Sequence, residues 1–141
     1  MEDSTVNSII ALLGVPIGVL TYYFNKLWME PYFEYEKLRA RINSDLLYYA
    51  DAVEIDMKNT ECLLYKKYGE RMSAFHRHAA DLLALYPLLP AWHRINYFET
   101  REYPDKAVGQ LLRYAKHPDP FEAREAEKEI KGLLRLPTIL S

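Results

Sequence analysis

The stretch "GVPIGVLTYYF", Gly14 to Phe24, decides what kind of fold this chain has. It sits in the longest uncharged run of the sequence, which extends from Ser4 to Asn25. As an α-helix that run is about 33 Å long at roughly 1.5 Å per residue. A hydrocarbon core is about 30 Å thick, so the length fits one crossing. Ser8, Thr21 and Asn25 fall near the ends, where polar groups cost least. Tyr22, Tyr23 and Trp28 gather at one end beside Lys26, the placement that amphipathic rings take at a membrane–water interface. The competing reading is a buried helix of a soluble domain. Uncharged runs of this length are uncommon in small soluble domains, which favours the span. A secretory signal is rejected: Met1-Glu2-Asp3 is acidic where a basic region belongs, and bulky Tyr-Tyr-Phe follows the apolar run instead of a small-residue cleavage site.

Working outward, no basic residue precedes the run, whereas Lys26, Lys37, Arg39 and Arg41 follow it. Basic flanks stay in the cytoplasm, so the expected layout is a non-cytoplasmic N-terminus (1–5), a transmembrane helix (6–29) and a cytoplasmic domain (30–141). In a bacterium this places the chain in the inner membrane as a single-pass protein. Pro16 removes a backbone donor and crowds the preceding turn, which predicts a bend near Leu12–Leu13. Gly14 and Gly18 form a G-x-x-x-G pair that Ala11 extends, a small-residue strip through which two helices can approach closely. The other reading of the same pair is two glycines that face lipid.

The chain has 141 residues, enough for a span and one domain. Setting aside Glu2 and Asp3, its acidic and basic residues balance at 18 each, so the charge gives no support for nucleic acid as a partner. The single cysteine, Cys62, excludes an intramolecular disulfide and suits a reducing compartment.

After Pro31 the pattern is helical throughout. Tyr35, Leu38, Ile42, Leu46, Tyr49 and Val53 recur every three or four residues and form one apolar face. "EIDMKNTE" interrupts the stripe. A second helix follows from about Thr60, with Leu64, Tyr68, Met72, Phe75, Ala79, Leu82 and Tyr86 as its face, and stops near Pro87 and Pro90. The two predict an antiparallel hairpin, since their connection is short and their faces need each other. Pro104 opens a further helix with Val108, Leu111, Leu112 and Ala115 inward. "DPFE" opens the last: Asp119 caps, Pro120 fits the first turn and Glu122 has capping-box spacing. Phe121, Ala126, Ile130, Leu133 and Leu134 are its expected buried set. No segment alternates with period two, so the fold class is all-α: one transmembrane helix, then a small helical bundle built on a long antiparallel hairpin.

Catalytic signatures are lacking. His76 and His78 are two apart on a helix and point about 200° from each other, so they do not readily share a metal. Cys62, His93 and His117 have no zinc-ligand spacing, and Cys62 has no nucleophile motif around it. Five glycines, two of them in the uncharged run, leave no phosphate loop. No cofactor is expected. The aromatic connector with Trp92, His93, Tyr97 and Phe98 reads first as a lid on the bundle end, and second as a partner-binding patch.

The juxtamembrane run resembles a pattern of small bacterial single-span membrane proteins, W-x-x-P-x-x-E-Y-x-x-L-R-x-x-I-x-x-x-L-x-x-Y-A. It is carried here by Trp28, Pro31, Glu34, Tyr35, Leu38, Arg39, Ile42, Leu46, Tyr49 and Ala50. The tail "KAVGQLLRYAKHPDPFEAREAEKEIKGLLRL" is similar to the two short helices that end such proteins. The resemblance implies a bacterial source and a cytoplasmic domain; it implies no activity. The function expected from the sequence is therefore non-enzymatic: a membrane-anchored helical protein acting by protein contact and oligomerisation. The economy of the layout suggests an effector or sensor in defence against phage. Its partners would be the lipid bilayer and a second copy of itself, or another membrane or cytoplasmic protein. The alternatives are an accessory subunit of a larger membrane complex and an enzyme whose site is assembled from scattered residues.

Overall fold

The computed structural model describes residues 14–50, 63–91, 102–117 and 119–137. Among the described residues the regular structure is helical, without strand. One helix runs from residue 14 to Tyr48 in three parts: α1 (residues 14–24), a π-helical stretch Asn25–Met29, and α2 (Glu30–Tyr48). The remainder is α3 (Leu63–Leu85), ending in a 3-10 turn Tyr86–Leu88, then α4 (Pro104–Lys116) and α5 (Pro120–Leu133).

Pro31 explains the wide turn. It lies in the first turn of α2 and cannot donate a backbone hydrogen bond, and its ring presses on the carbonyl four residues back. The helix answers by widening just before it: the Glu30 N–H reaches the Asn25 carbonyl, a five-residue step, and the chain continues without a break.

The bundle forms from α2 to α5. In α2 the expected stripe is buried, with Tyr35, Ile42 and Leu46 wholly inaccessible and Leu38 and Tyr49 nearly so. α3 lies antiparallel to it, since Asp45 meets His78 while Tyr49 meets Phe75. The buried face of α3 is rotated from the one expected. Phe75, Ala79 and Leu82 are buried as read, but Met72 is exposed and Tyr68 half-buried, while Arg71 and His78 take inner positions. α4 packs along α3 with Ala107, Leu111, Tyr114 and Ala115 inward. Val108 and Leu112, also expected inside, are only partly covered.

α5 folds back on α4. Asp119 caps it as expected, its Oδ1 accepting from the Phe121 N–H at 3.2 Å. Glu122 instead pairs with Arg113 of α4. Phe121, expected inside, is 73% exposed. Position N2 of the helix points away from α4, and the small Ala123 and Ala126 hold the interface, which brings the two helices close. The helix ends in a Schellman motif. Arg135 adopts φ 47°, its N–H reaches Gly132, and the Leu136 N–H reaches Lys131. That turn returns Leu136 to the core, where Leu134 is already buried.

The expected bend at Leu12–Leu13, Val53 and Cys62 lie outside the described residues, as does part of the proposed span. Among the described residues no helix is long and apolar enough to cross a membrane. The described part of α1 begins at Gly14, well inside the uncharged run that the sequence carries from Ser4.

Candidate functional site

α1 and the wide turn carry apolar residues on which no other described part of the chain is packed. Val15, Ile17, Leu20, Tyr22, Tyr23, Leu27 and Trp28 are each about half to two-thirds exposed. At about 100° per residue these positions cover about two-thirds of the circumference, and the remaining sector carries Gly14, Gly18 and Thr21. A helix apolar over so much of its surface needs a covering of protein or lipid, unlike the one-sided helices of the bundle. Its one hydroxyl-bearing aliphatic side chain is internally satisfied: Thr21 Oγ1 donates to the Ile17 carbonyl at 2.8 Å. Gly14 and Gly18 lie on this helix, and a methyl group built on either meets nothing within 4 Å. The glycine strip is thus an open surface of the single chain; Ala11 lies outside the described residues.

The expected interface residues form a collar. Tyr22 and Tyr23 contact edge to face with centroids 5.7 Å apart, and Phe24 leans on Trp28 at 5.1 Å. Lys26 folds back along the helix, its Nζ 5.7 Å from the Tyr22 ring centre and 3.4 Å from its hydroxyl oxygen. Beside it an open groove of about 580 Å³ runs down one flank of the wide turn, between Tyr22 and Lys26 at one end and Glu30, Phe33, Glu34 and Lys37 at the other. Within it Glu34 and Lys37 pair at 2.7 Å. The bond from Lys37 and its charge hold the Glu34 carboxyl below the usual carboxylate range.

Two polar clusters lie in the bundle. Arg39 joins three parts of the chain: its Nε donates to the Leu134 carbonyl at 2.9 Å, its Nη2 to the Arg135 carbonyl at 3.1 Å, and its Nη1 pairs with Glu36 at 2.7 Å. Glu102, nearly buried, lies 3.5 Å from Arg39 and accepts from the Tyr35 hydroxyl at 3.4 Å. Burial alone would lower the Arg39 pKa. The bond to Glu36 and the charges of Glu102 and Glu36 outweigh it, and the net shift is upward. In the second cluster the guanidinium of Arg71, 1% exposed, sits 4.8 Å from the Tyr68 ring centre and 5.0 Å from that of Tyr114, and donates to the His117 carbonyl at 3.0 Å. Both rings present π faces to the cation, which softens the cost of burying it.

Neither cluster has the form of a reaction centre: Arg71 and Tyr114 are sealed from solvent, and the Arg39 guanidinium is spent on backbone carbonyls and carboxylates. His76 binds its own helix through Nδ1, which donates to the Met72 carbonyl at 2.7 Å, and His78 Nε2 meets Asp45 at 2.6 Å. The two histidines therefore serve separate partners, as their spacing predicts. Among the described residues no group of three histidine, cysteine or acidic side chains could hold a metal ion. The connector residues Trp92, His93, Tyr97 and Phe98 lie outside the described residues.

The clustering of Tyr22, Tyr23, Lys26 and Trp28 is legible in the sequence; the groove beside it is not, because it depends on the wide turn. Arg71 is not legible as an inner residue, since an arginine at three-residue spacing from an apolar stripe reads as a flanking charge. No family model, curated protein or solved structure matches the chain.

Proposed function

We propose that this chain is a membrane-anchored helical module whose bundle lies in the cytoplasm and works by contact with other proteins, including copies of itself. The supporting observation is α1 and its collar: apolar over most of its surface, uncovered by the other described residues, and ending in Tyr22, Tyr23, Lys26 and Trp28. In sequence the uncharged run reaches back to Ser4, and its length is the one a bilayer requires. Lys26, Lys37, Arg39 and Arg41 follow the run and set its orientation. Contact, not catalysis, is the favoured mode of action. The polar clusters of the bundle bind its own helices together, and among the described residues the most continuous open apolar surface is that of α1.

The decisive experiment is extraction of membranes from cells expressing the full chain. The chain is expected to stay in the membrane fraction through high salt and carbonate; full release by carbonate overturns the anchor. A reporter that is active only in the periplasm, fused after Ser141, is expected to stay silent. Activity there reverses the orientation.

A further inference from the structure

We propose that the groove beside the wide turn holds the headgroup of a zwitterionic phospholipid with a primary amine, its phosphate on Lys26 and its ammonium on Glu30. This rests on the anchor reading above and adds a lipid selectivity to it.

Lys26 and Glu30 are four residues apart, the spacing at which opposite charges meet on a regular α-helix. They do not meet here. Both side chains border the π-helical stretch Asn25–Met29. Among the described residues the polar contact of Lys26 is with Tyr22, and Glu30 forms no ion pair. Both line the same groove. Two opposite charges left apart on one flank of a wide turn, a departure of the kind that recurs at functional sites, are open to a ligand that carries both signs.

The order of the charges selects the ligand. Going outward from the apolar helix, the groove offers first the Lys26 cation, then the Glu30 carboxylate four residues further along the axis. An ethanolamine headgroup leaves a bilayer in the matching order: phosphate at the glycerol, ammonium beyond it. Lys26 leans back toward Tyr22, so its ammonium sits on the membrane side of its own Cα. An anionic headgroup without an amine would satisfy Lys26 but set its polar end against Glu30. Lys37 does not relieve this, being already engaged with Glu34. A choline headgroup has no N–H to donate and is held best by several aromatic faces together. The groove has two, Tyr22 and Phe33, eleven residues apart.

The test is reconstitution of the full chain into vesicles with equal amounts of phosphatidylethanolamine, phosphatidylcholine and phosphatidylglycerol. Flotation measures insertion, and native mass spectrometry after mild detergent extraction counts the lipids retained. The parent chain is expected to retain phosphatidylethanolamine over each of the other two by about threefold, the scale of one partly exposed ion pair. Glu30→Gln is expected to abolish the preference over phosphatidylglycerol, and Lys26→Gln to lower retention of all three. Both side chains are exposed, so flotation and the bundle's melting temperature should match the parent. Retention in the ratio supplied, or an unchanged preference in Glu30→Gln, overturns the headgroup site while leaving the anchor intact. Failure of the parent to float with the vesicles overturns both, and is seen before any lipid is counted.

Discussion

The Arg39 guanidinium donates to the Leu134 carbonyl at 2.9 Å, across 95 positions of sequence, and so ties the helix that emerges from the collar to the last turn of the bundle. The same side chain faces Glu102 at 3.5 Å, which leads directly into α4. Whatever moves α2 relative to α4 and α5 must break this node. Arg39→Met removes the cation from a nearly buried carboxylate and orphans two carbonyls. The expected cost is about 1–3 kcal/mol, read as a shift in denaturant midpoint. Arg39→Lys restores the charge but not the fork that reaches both carbonyls, so it should fall between parent and Met. Equal stability of parent and Met variant would show that the node does not hold the bundle.

Phe75 stands at the centre of the aromatic core. Its ring is wholly buried, with the Tyr114 centroid at 4.7 Å, His78 at 5.5 Å and Tyr49 at 6.3 Å. Phe75→Ala should cost about 3–5 kcal/mol through lost transfer energy and the cavity left behind. Phe121→Ala, in a side chain 73% exposed, should change stability by no more than about 0.5 kcal/mol. Thermal or urea melts of the two variants side by side test the register of α3 and α5; similar losses would mean that Phe121 is buried after all.

Tyr114 gives the bundle a signature at high pH. Burial pushes its phenol up to about 12; the nearby Arg71 cation opposes the shift but does not cancel it. An acid whose native pKa is raised contributes stability that is present below its unfolded pKa, about 10, and lost as pH rises through the native value. Stability should therefore fall between roughly pH 10 and 12, by on the order of 2–3 kcal/mol from this group. Ultraviolet titration should show Tyr114 among the tyrosines that ionise late, since burial raises the Tyr49 phenol as well. Tyr114→Phe should reduce the amplitude of that late phase and flatten the corresponding part of the pH–stability curve. An unchanged titration would assign the late phase elsewhere.

These residues show which parts of the fold are legible in sequence. The α2 stripe was readable because Tyr35, Leu38, Ile42 and Leu46 are apolar at helical spacing and all face one core. The α3 face was misjudged because two of its inner residues, Arg71 and His78, are polar, and their acceptability depends on Tyr68, Tyr114 and Asp45 from other parts of the fold. Phe121 was misplaced because hydrophobicity does not report which side of a first helical turn faces the neighbour. The collar was legible, being local. The groove was not, because it depends on a wide turn that Pro31 imposes on residues before it.

The Schellman turn at the end of α5 has a residue poorly suited to it. Arg135 holds φ 47°, a conformation that costs a residue with a Cβ roughly 1–2 kcal/mol and glycine little. Its side chain is exposed, and its structural contribution is the carbonyl that accepts from Arg39 at 3.1 Å, which any residue supplies. Arg135→Gly should accordingly stabilise the bundle by about 0.5–1 kcal/mol, the gain being partly offset by the greater freedom of glycine in the unfolded chain. A loss of stability would mean that the arginine side chain makes a contribution larger than its backbone strain.

The glycine strip tests the proposed mode of action. Helices in lipid gain no hydrophobic free energy by meeting one another, so association depends on close backbone approach, and a large side chain at the contact must block it. A methyl group at Gly14 or Gly18 meets nothing within 4 Å, so the first carbon of a larger side chain finds open space in the single chain. Gly14→Leu and Gly18→Leu therefore probe intermolecular contact. Both changes keep the segment apolar, so membrane insertion should survive. Each should reduce crosslinking of the full chain in membranes, whereas Val15→Leu, on another face, should not. If both leucine variants crosslink as well as the parent, self-association does not run through α1. The contact function would then have to be assigned to the bundle, where, among the described residues, Phe121, Leu83, Leu88 and Tyr48 are the large hydrophobic side chains most open to solvent.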